Sequence, residues 1–376
     1  MSQRQLKVAL VHEFLAQYGG AERVLEHFMS MFPDALVYTL VYDEKRMGKA
    51  FPAHRVRVSS LQWFPRARTH YKWYLALMPW ATESLQIPND VDLVLSDASA
   101  FAKGVRVPPG IPHLCYLHTP TRYLWSVRES YVENAPIPAA VRPFVGPVLD
   151  RLKRWDYLAA QRPDAYVANS NNVAGQLKRY YDREALATIF PFVDLRRFAP
   201  SPAPSDYFLV LSRIEPYKQV DLVAQAFAEL GWPLKIAGSG TRLAQYREQF
   251  AKYPNISFLG RVSDDELSDL YAHCRAFIFP PEEDAGMVPL EAMASGRPVL
   301  AYGKGGALES VQPGVSGEFF AEQTVASLTE ALTAHDWSRY NATEIRNHVS
   351  KFDVTVFSEH ILQVIDEVRA NPRVGR

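Results

Sequence analysis

Residues Pro280 to Ala301 read PPEEDAGMVPLEAMASGRPVLA, and two carboxylates in this stretch, Glu283 and Glu291, bracket seven residues that include Gly286 and Pro289. A proline can start a helix, so the spacing predicts one running through Ala292-Met293-Ala294, with Glu291 in its first turn beside the positive end of the helix dipole. Glu283 then lies on the loop that feeds it. One acid is held rigidly and the other overhangs a cleft. Ala285, Gly286, Met287 and Val288 carry little bulk between them, which leaves backbone N–H groups open to an anionic ligand at the helix start. An isolated pair of glutamates is more commonly a solvated acidic loop. Here the flanking pattern favours a pocket for a nucleotide-linked sugar.

At 376 residues the chain exceeds the size at which a single core keeps growing, which predicts two domains. Apolar residues make up 48%, ample for burial, and no run approaches the length needed to span a bilayer. The opening MSQRQLKVALVHEF enters a strand without the layout of a signal peptide, so a cytosolic protein is expected. Cys115 and Cys274 stand far apart in apolar contexts and read as reduced core thiols, not as a disulfide or a metal site.

The zero net charge hides an asymmetry. Cut after Leu195, the first part holds 23 Lys and Arg against 18 Asp and Glu, and the second 18 against 23. Much of the basic excess lies between Arg55 and Lys72, where Arg55, Arg57, Arg66, Arg68 and Lys72 meet no acidic residue. Trp63, Phe64, Tyr71, Trp73, Tyr74 and Trp80 are interleaved with them. Cations and aromatic rings mixed on one helix, as expected here, suit an anionic membrane surface, with Arg66, Arg68, Lys72, Trp63 and Trp73 as its contacts. The same composition also serves to cover a groove or to bind nucleic acid. A membrane or lipid-linked partner is the reading adopted, with no nucleic acid.

Short apolar runs alternate with helical segments, the mark of parallel sheets joined by crossover helices. Lys7–Val11, Leu36–Thr39, Leu93–Ser96, Pro112–Leu117 and Ala165–Ala168 suit one doubly wound sheet. Tyr207–Leu211, Leu234–Ala237, Ile256–Leu259, Ala276–Phe279, Pro298–Ala301 and Gly317–Phe320 suit a second. A proline-rich stretch from Pro191 through Pro204 reads as the boundary. The segment from Asn341 to Ala370 reads as helical with a break near Lys351-Phe352-Asp353, able to cross back onto the first domain.

Open α/β sheets bind ligands at the carboxyl ends of their strands, and the remaining motifs lie there. Gly19-Gly20 follows the first strand and opens a helix, so its backbone can approach a phosphate; a plain tight turn is the commoner use. Arg213 and Lys218, in LSRIEPYKQVDLVAQAF, offer an Arg fork and a Lys point charge that together can neutralise a diphosphate. Gly238-Ser239-Gly240 ends the next strand as a turn. Arg261 and Val262, after Gly260, have backbone groups to offer a base. Asp90-Val91-Asp92 resembles a metal-holding triplet but precedes a strand, which assigns it to capping and a surface turn.

In order along the chain, SRIEPYK, the GSG turn, LGRV, the Glu283-x7-Glu291 pair with EAMASGRPV, and GGALES resemble the retaining glycosyltransferases of family 4, which have the GT-B fold. VHEFLAQYGGAERV, YLHTPTRYLW and DAYVANSNNVA resemble the subgroup of bacterial O-antigen and exopolysaccharide mannosyltransferases. The resemblance runs from about Lys7 to Glu367, with one departure at Ala285, where that subgroup usually has an aromatic residue. It implies an α/β fold of two Rossmann-like domains facing across a cleft: 1–195 for the acceptor, 196–352 for the nucleotide sugar, and 353–376 as a helix returning to the first.

The resemblance also implies roles. Arg213 and Lys218 bind and stabilise the departing diphosphate, Glu291 holds ribose hydroxyls, and Glu283 contacts the transferred sugar. Gly286, Met287 and Val288 fix sugar and phosphate through their backbone, Gly19 and Gly20 meet the phosphates from the other wall, and Gly238, Arg261 and Val262 line the donor site. His118, in the HTP motif after a strand, contacts sugar hydroxyls or the acceptor. With two cations on the diphosphate, no cofactor and no metal are expected. GDP-mannose leads among donors and UDP-sugars follow, with a polyprenyl-diphosphate-linked glycan as acceptor at the inner face of the plasma membrane. Two other classes share such a site: a nucleotide-sugar epimerase, which needs no lipid-facing surface, and a non-catalytic nucleotide-sugar binding module.

Overall fold

The run VALVHEFL carries apolar residues on both faces, as a strand covered by helices on both sides must, and it forms β1 (Val8–Leu15). The structure is a computed structural model that describes residues 6–129, 132 and 142–371. β1 lies inside a seven-stranded parallel sheet of order β3-β2-β1-β4-β5-β6-β7. Its other strands are β2 (Leu36–Tyr42), β3 (Val56–Val58), β4 (Leu93–Ala98), β5 (His113–Leu117), β6 (Ala165–Ala168) and β7 (Ala187–Thr188). A second parallel sheet, of order β10-β9-β8-β11-β12-β13, holds β8 (Phe208–Leu211), β9 (Leu234–Ala237), β10 (Ile256–Gly260), β11 (Phe277–Phe279), β12 (Val299–Tyr302) and β13 (Gly317–Phe320). Both sheets reverse their strand order beside their first strand, between β1 and β4 and between β8 and β11. Such a switch point opens a crevice at the carboxyl ends.

Each sheet has its own core. Val11, Leu40, Val94, Leu117 and Tyr166 belong to the first. Phe227, Ile236 and Ile278 fill one face of the second sheet, and Phe277, Leu290 and Met293 the other. The chain divides into two units. One holds the residues up to Ile189 together with those from Ser358 onward, and the other runs from Phe190 to Phe357.

The expected cut after Leu195 therefore falls late, and the expected cut before residue 353 falls early. The reason is local pairing: Val193 N donates to Phe352 O at 2.9 Å, and Val354 N donates to Val193 O at 3.0 Å. The Phe190 and Phe352 rings lie 5.1 Å apart and those of Phe192 and Phe357 5.0 Å apart, so Phe190 to Leu195 is packed chain within the second unit, not a free linker. The last helix, Val354–Ala370, follows a short 3-10 turn at Ser350–Phe352. It buries Ile361, Ile365 and Val368. Ser358 Oγ lies 2.7 Å from His27 Nε2 on the helix Gly20–Met31.

The aromatic and basic segment departs from the expected single helix. It is broken into a 3-10 turn at Ser60–Trp63, one turn at Ala67–His70, a kinked 3-10 run at Tyr71–Leu77 and the helix Met78–Glu83. Pro65, Pro79 and the left-handed backbone of Arg66 (φ 55°) interrupt the ladder. Asp90 and Asp92 tie down Lys7 at the amino-terminal edge of the first sheet, away from the carboxyl ends, Asp92 Oδ2 accepting its amide at 2.9 Å and Asp90 its ammonium at 3.0 Å.

Candidate active site

In the first unit, polar side chains gather near the carboxyl ends of three adjacent strands. His12 on β1 and Asp97 on β4 are register partners. Asp97 is fully buried, and it accepts from His12 Nδ1 at 2.8 Å and from His118 Nε2 at 2.5 Å. A carboxylate only accepts, so both shared hydrogens sit on the imidazoles. His118 is the first residue past β5, and its amide donates to Ala98 O at 2.8 Å, so the β4–β5 ladder fixes where the ring stands. Behind them, His12 Nε2 lies 3.6 Å from Glu22 Oε1, in the first turn of the helix Gly20–Met31. Burial pulls the His12 pKa down, but hydrogen bonds to Asp97 and Glu22 and their charges outweigh it, carrying it well above the ordinary histidine value. For Asp97, burial is outweighed by the charge and hydrogen bond of His118 and those of His12, so its pKa lies below the usual carboxylate value.

Two further buried groups shape the loops around this line. Glu13 Oε1 accepts from the amides of Ser99, Ala100 and Ala102 at 2.9, 2.8 and 3.1 Å, pinning the turn after β4. Lys103 pairs with Asp156 at 2.5 Å. Asp156 also accepts from Thr121 Oγ1, Trp125 Nε1 and Tyr181 Oη at 2.7, 2.8 and 2.6 Å, which anchors the HTPTRYLW loop. A buried ion pair this well satisfied works as a fixed corner of the fold.

In the second unit the loops after the neighbouring strands β8 and β11 meet. Past β8, Ser212 N donates to Ala237 O at 3.1 Å and Ile214 N to Ser239 O at 3.0 Å, so this segment crosses directly over the GSG turn. A Cβ on Gly238, whose φ is +128°, would lie 1.9 Å from Ser212 O. Lys218 ends the 3-10 turn Pro216–Lys218, and its ammonium pairs with Glu283 Oε1, both side chains largely buried. Arg213 is exposed and its Nη2 donates to Tyr217 Oη at 2.9 Å. The Glu283 loop is held from below, since Gly306 N donates to Glu283 O at 2.8 Å. A Cβ on Gly306 would lie 2.5 Å from Ala285 Cα, so the GGALES backbone lies flat against buried Ala285.

The helix after β11 begins earlier than the position of Pro289 suggests. It spans Met287–Ala294 with the N-cap at Gly286, whose φ of +65° turns the chain into it. Glu291 thus lies past the first turn, facing inward, where it is buried and accepts from Tyr271 Oη at 3.0 Å. The first-turn amides are those of Met287 and Val288, which lack intrahelical acceptors. Arg261 is exposed after β10, and Val262 is half-buried.

Lys218 and Glu283 are thus brought into contact, with Gly286, Met287, Val288 and Glu291 on the same loop and helix. Gly19 caps the helix Gly20–Met31 in extended backbone (φ −151°). The motif reading passed over His12, Asp97, Glu13 and Glu22. A visible signal existed: VALVHEFL and LVLSDA each place ionisable residues at the carboxyl end of an otherwise apolar strand.

The family described as "Glycosyltransferase Family 4" matches residues 18–197, and that described as "Glycosyl transferases group 1" matches residues 194–335. A D-inositol 3-phosphate glycosyltransferase of Streptomyces bingchenggensis is 31% identical over 41% of this chain and 41% of its own length. One from Nocardiopsis dassonvillei is 27% identical over 55% and 53%. The chain spans about half, or less, of the curated relatives it matches. Among solved structures, Anabaena HepE in complex with UDP-glucose superposes with a TM-score of 0.69 at 20% identity, covering 96% of this chain and 99% of that one. Sucrose-phosphate synthase from Thermosynechococcus elongatus superposes with a TM-score of 0.74 at 16% identity, covering 97% and 99%. At these identities the likeness is one of fold.

Proposed function

Because the chain belongs to family 4 of the glycosyltransferases and has the two parallel-sheet units of the GT-B fold, we propose that it moves a sugar, with retention, from a nucleotide-sugar donor to a lipid-linked glycan in cell-surface polysaccharide synthesis. The donor is GDP-mannose, and the enzyme a mannosyltransferase. The observation that carries the reading is the contact of Lys218 with Glu283 at the switch point beside β8 and β11. A cation suited to a diphosphate and a carboxylate suited to sugar hydroxyls then stand next to each other, as a sugar diphosphate requires. Arg213 is the second cation, Glu291 takes the ribose, and the amides of Met287 and Val288 with Gly286 fix the sugar and phosphate. Gly238, Arg261 and Val262 complete the donor side. In the first unit, Gly19 and Gly20 are assigned to phosphate contact, and His118 to sugar hydroxyls or the acceptor. With two cations on the leaving group, the transfer needs neither metal nor cofactor.

The acceptor reading rests on the first unit's surface. Trp63, Trp73 and Trp80 are 75%, 64% and 50% exposed beside exposed Arg66, Arg68 and Lys72. Among the described residues no helix is long and apolar enough to cross a membrane. We assign this patch to the anionic inner leaflet, where a polyprenyl-linked glycan would be extended. The patch also disfavours an epimerase, which has no use for it. A UDP-sugar donor is the second reading, favoured by the UDP-glucose complex of HepE.

A donor screen tests both. Hydrolysis and transfer are measured with GDP- and UDP-sugars, with EDTA and with added Mg2+. GDP-mannose is expected to turn over fastest, unchanged by chelation. Arg213→Ala and Lys218→Ala each remove a charge-assisted contact of about 1.5–3 kcal/mol, so turnover falls about tenfold to several hundredfold. Near wild-type turnover in both at saturating donor would take these residues out of the reaction.

A further inference from the structure

The line Glu22–His12–Asp97–His118 is more ordered than a core needs. Its members come from a helix start, two adjacent strands and the residue after a third. Both oxygens of Asp97 are engaged, one per imidazole, and the side chain is wholly enclosed. The carboxylate therefore has no rotational slack. Behind the carboxylate, His12 lies between Asp97 and Glu22. On the other side, the contact of Asp97 with His118 Nε2 at 2.5 Å is a directional hydrogen bond. Accepting from Nε2, Asp97 leaves Nδ1 as the lone-pair nitrogen, and among the described residues Nδ1 has no hydrogen-bond partner. The His118 side chain remains 11% exposed, so that nitrogen is within reach of a ligand.

We infer that Asp97 is a positioning residue, locking His118 in the tautomer whose Nδ1 accepts a hydrogen bond from a substrate hydroxyl, with His12 and Glu22 bracing the carboxylate from behind. This rests on the reading that His118 meets the sugar or the acceptor. In the other tautomer, Nδ1 would donate and Nε2 would present a lone pair to a carboxylate, which is repulsive. A hydroxyl held by an acceptor has its oxygen lone pairs free for other contacts and its proton directed away from the reacting centre. The same line reaches the turn at Gly19, where a Cβ would lie 3.2 Å from Glu22 Oε2. The placement of His118 is therefore mechanically continuous with the start of the helix Gly20–Met31.

The test uses the full chain labelled with 15N-histidine, its ring nitrogens read by long-range proton–nitrogen spectra at pH 7.5. The His118 signals are those lost in His118→Gln. In the wild type, Nε2 is expected to be protonated and Nδ1 to have the shift of an unprotonated ring nitrogen. Asp97→Asn, similar in shape, is expected to mix the tautomers and to lower kcat ten- to hundredfold while donor KM changes less than threefold. A wild-type His118 protonated at Nδ1 would overturn the inference. So would Asp97→Asn with wild-type spectra and kcat within twofold. The wild-type spectrum needs no variant, so the inference stays exposed if Asp97→Asn fails to fold. If the spectra behave as expected but no sugar nucleotide turns over, the positioning role stands and the functional reading falls.

Discussion

Gly19 and Gly238 end strands in turns that look alike in the sequence, yet only one of them has no room for a methyl group. Gly238→Ala would press a Cβ into Ser212 O in a backbone of positive φ, and it should destabilise the chain by on the order of 3 kcal/mol in urea unfolding. Gly19→Ala meets only the tip of the Glu22 side chain in extended backbone, and its midpoint should stay close to wild type. Equal midpoints for the two variants would contradict this account. The thiols give a second residue-level prediction. Burial pushes both Cys115 and Cys274 up to about 12. Neither should react with a thiol-modifying reagent at pH 8 until denaturant is added. At this scale neighbours in a motif are also neighbours in space, so Gly286, Met287 and Glu291 fall on one loop and helix, although Glu291 lies past the first turn in which its spacing from Pro289 puts it. The sequence reading missed Asp97 with His12 and His118 because their meeting depends on the registers of β1, β4 and β5, residues 85 and 21 apart.

Element by element, the eleven expected strands lie where the apolar runs place them, while β3 and β7 escaped notice. They have three and two residues, too short for a pattern to form. The start of the helix Met287–Ala294 was misplaced for a backbone reason: a glycine that turns the chain leaves less trace in the sequence than a proline does. Between elements, Glu83 at the end of Met78–Glu83 accepts from Arg106 at 2.7 Å, Arg162 at 2.5 Å and Trp155 at 2.7 Å. Burial works to raise its pKa, but these bonds outweigh it and bring it down to about 2 from 4.5. A depressed carboxylate stabilises the fold fully above about pH 4.5 and loses that contribution as pH falls toward about 2. Glu83→Gln should therefore cost about 1–3 kcal/mol at neutral pH, with the gap to wild type closing as the solution is acidified. A gap that is constant with pH in denaturant titrations would show that the charge of Glu83 is not what binds these elements.

For the whole molecule, the proposed attachment to a membrane is open to direct measurement. Each basic residue near anionic lipid contributes about 1 kcal/mol and the attraction decays within a Debye length, so binding should be reversible and salt-sensitive. The protein is expected to pellet with anionic liposomes at low salt and to be released at high salt. The variant Arg66→Glu, Arg68→Glu, Lys72→Glu should stay in the supernatant while still hydrolysing donor. Pelleting of that variant like wild type, or of neither protein, would return the patch to a packing role. The division into units also bears on how the chain comes off the ribosome. The second unit is one continuous stretch, whereas the first is finished only by residues from Ser358 onward. Translation therefore delivers a complete second unit before the first has received its closing helix. Until then, the partners of Ile361, Ile365 and Val368 stay uncovered, making the nascent first unit the natural client for a chaperone. A chain terminated after Phe357 would keep that exposed surface for its lifetime.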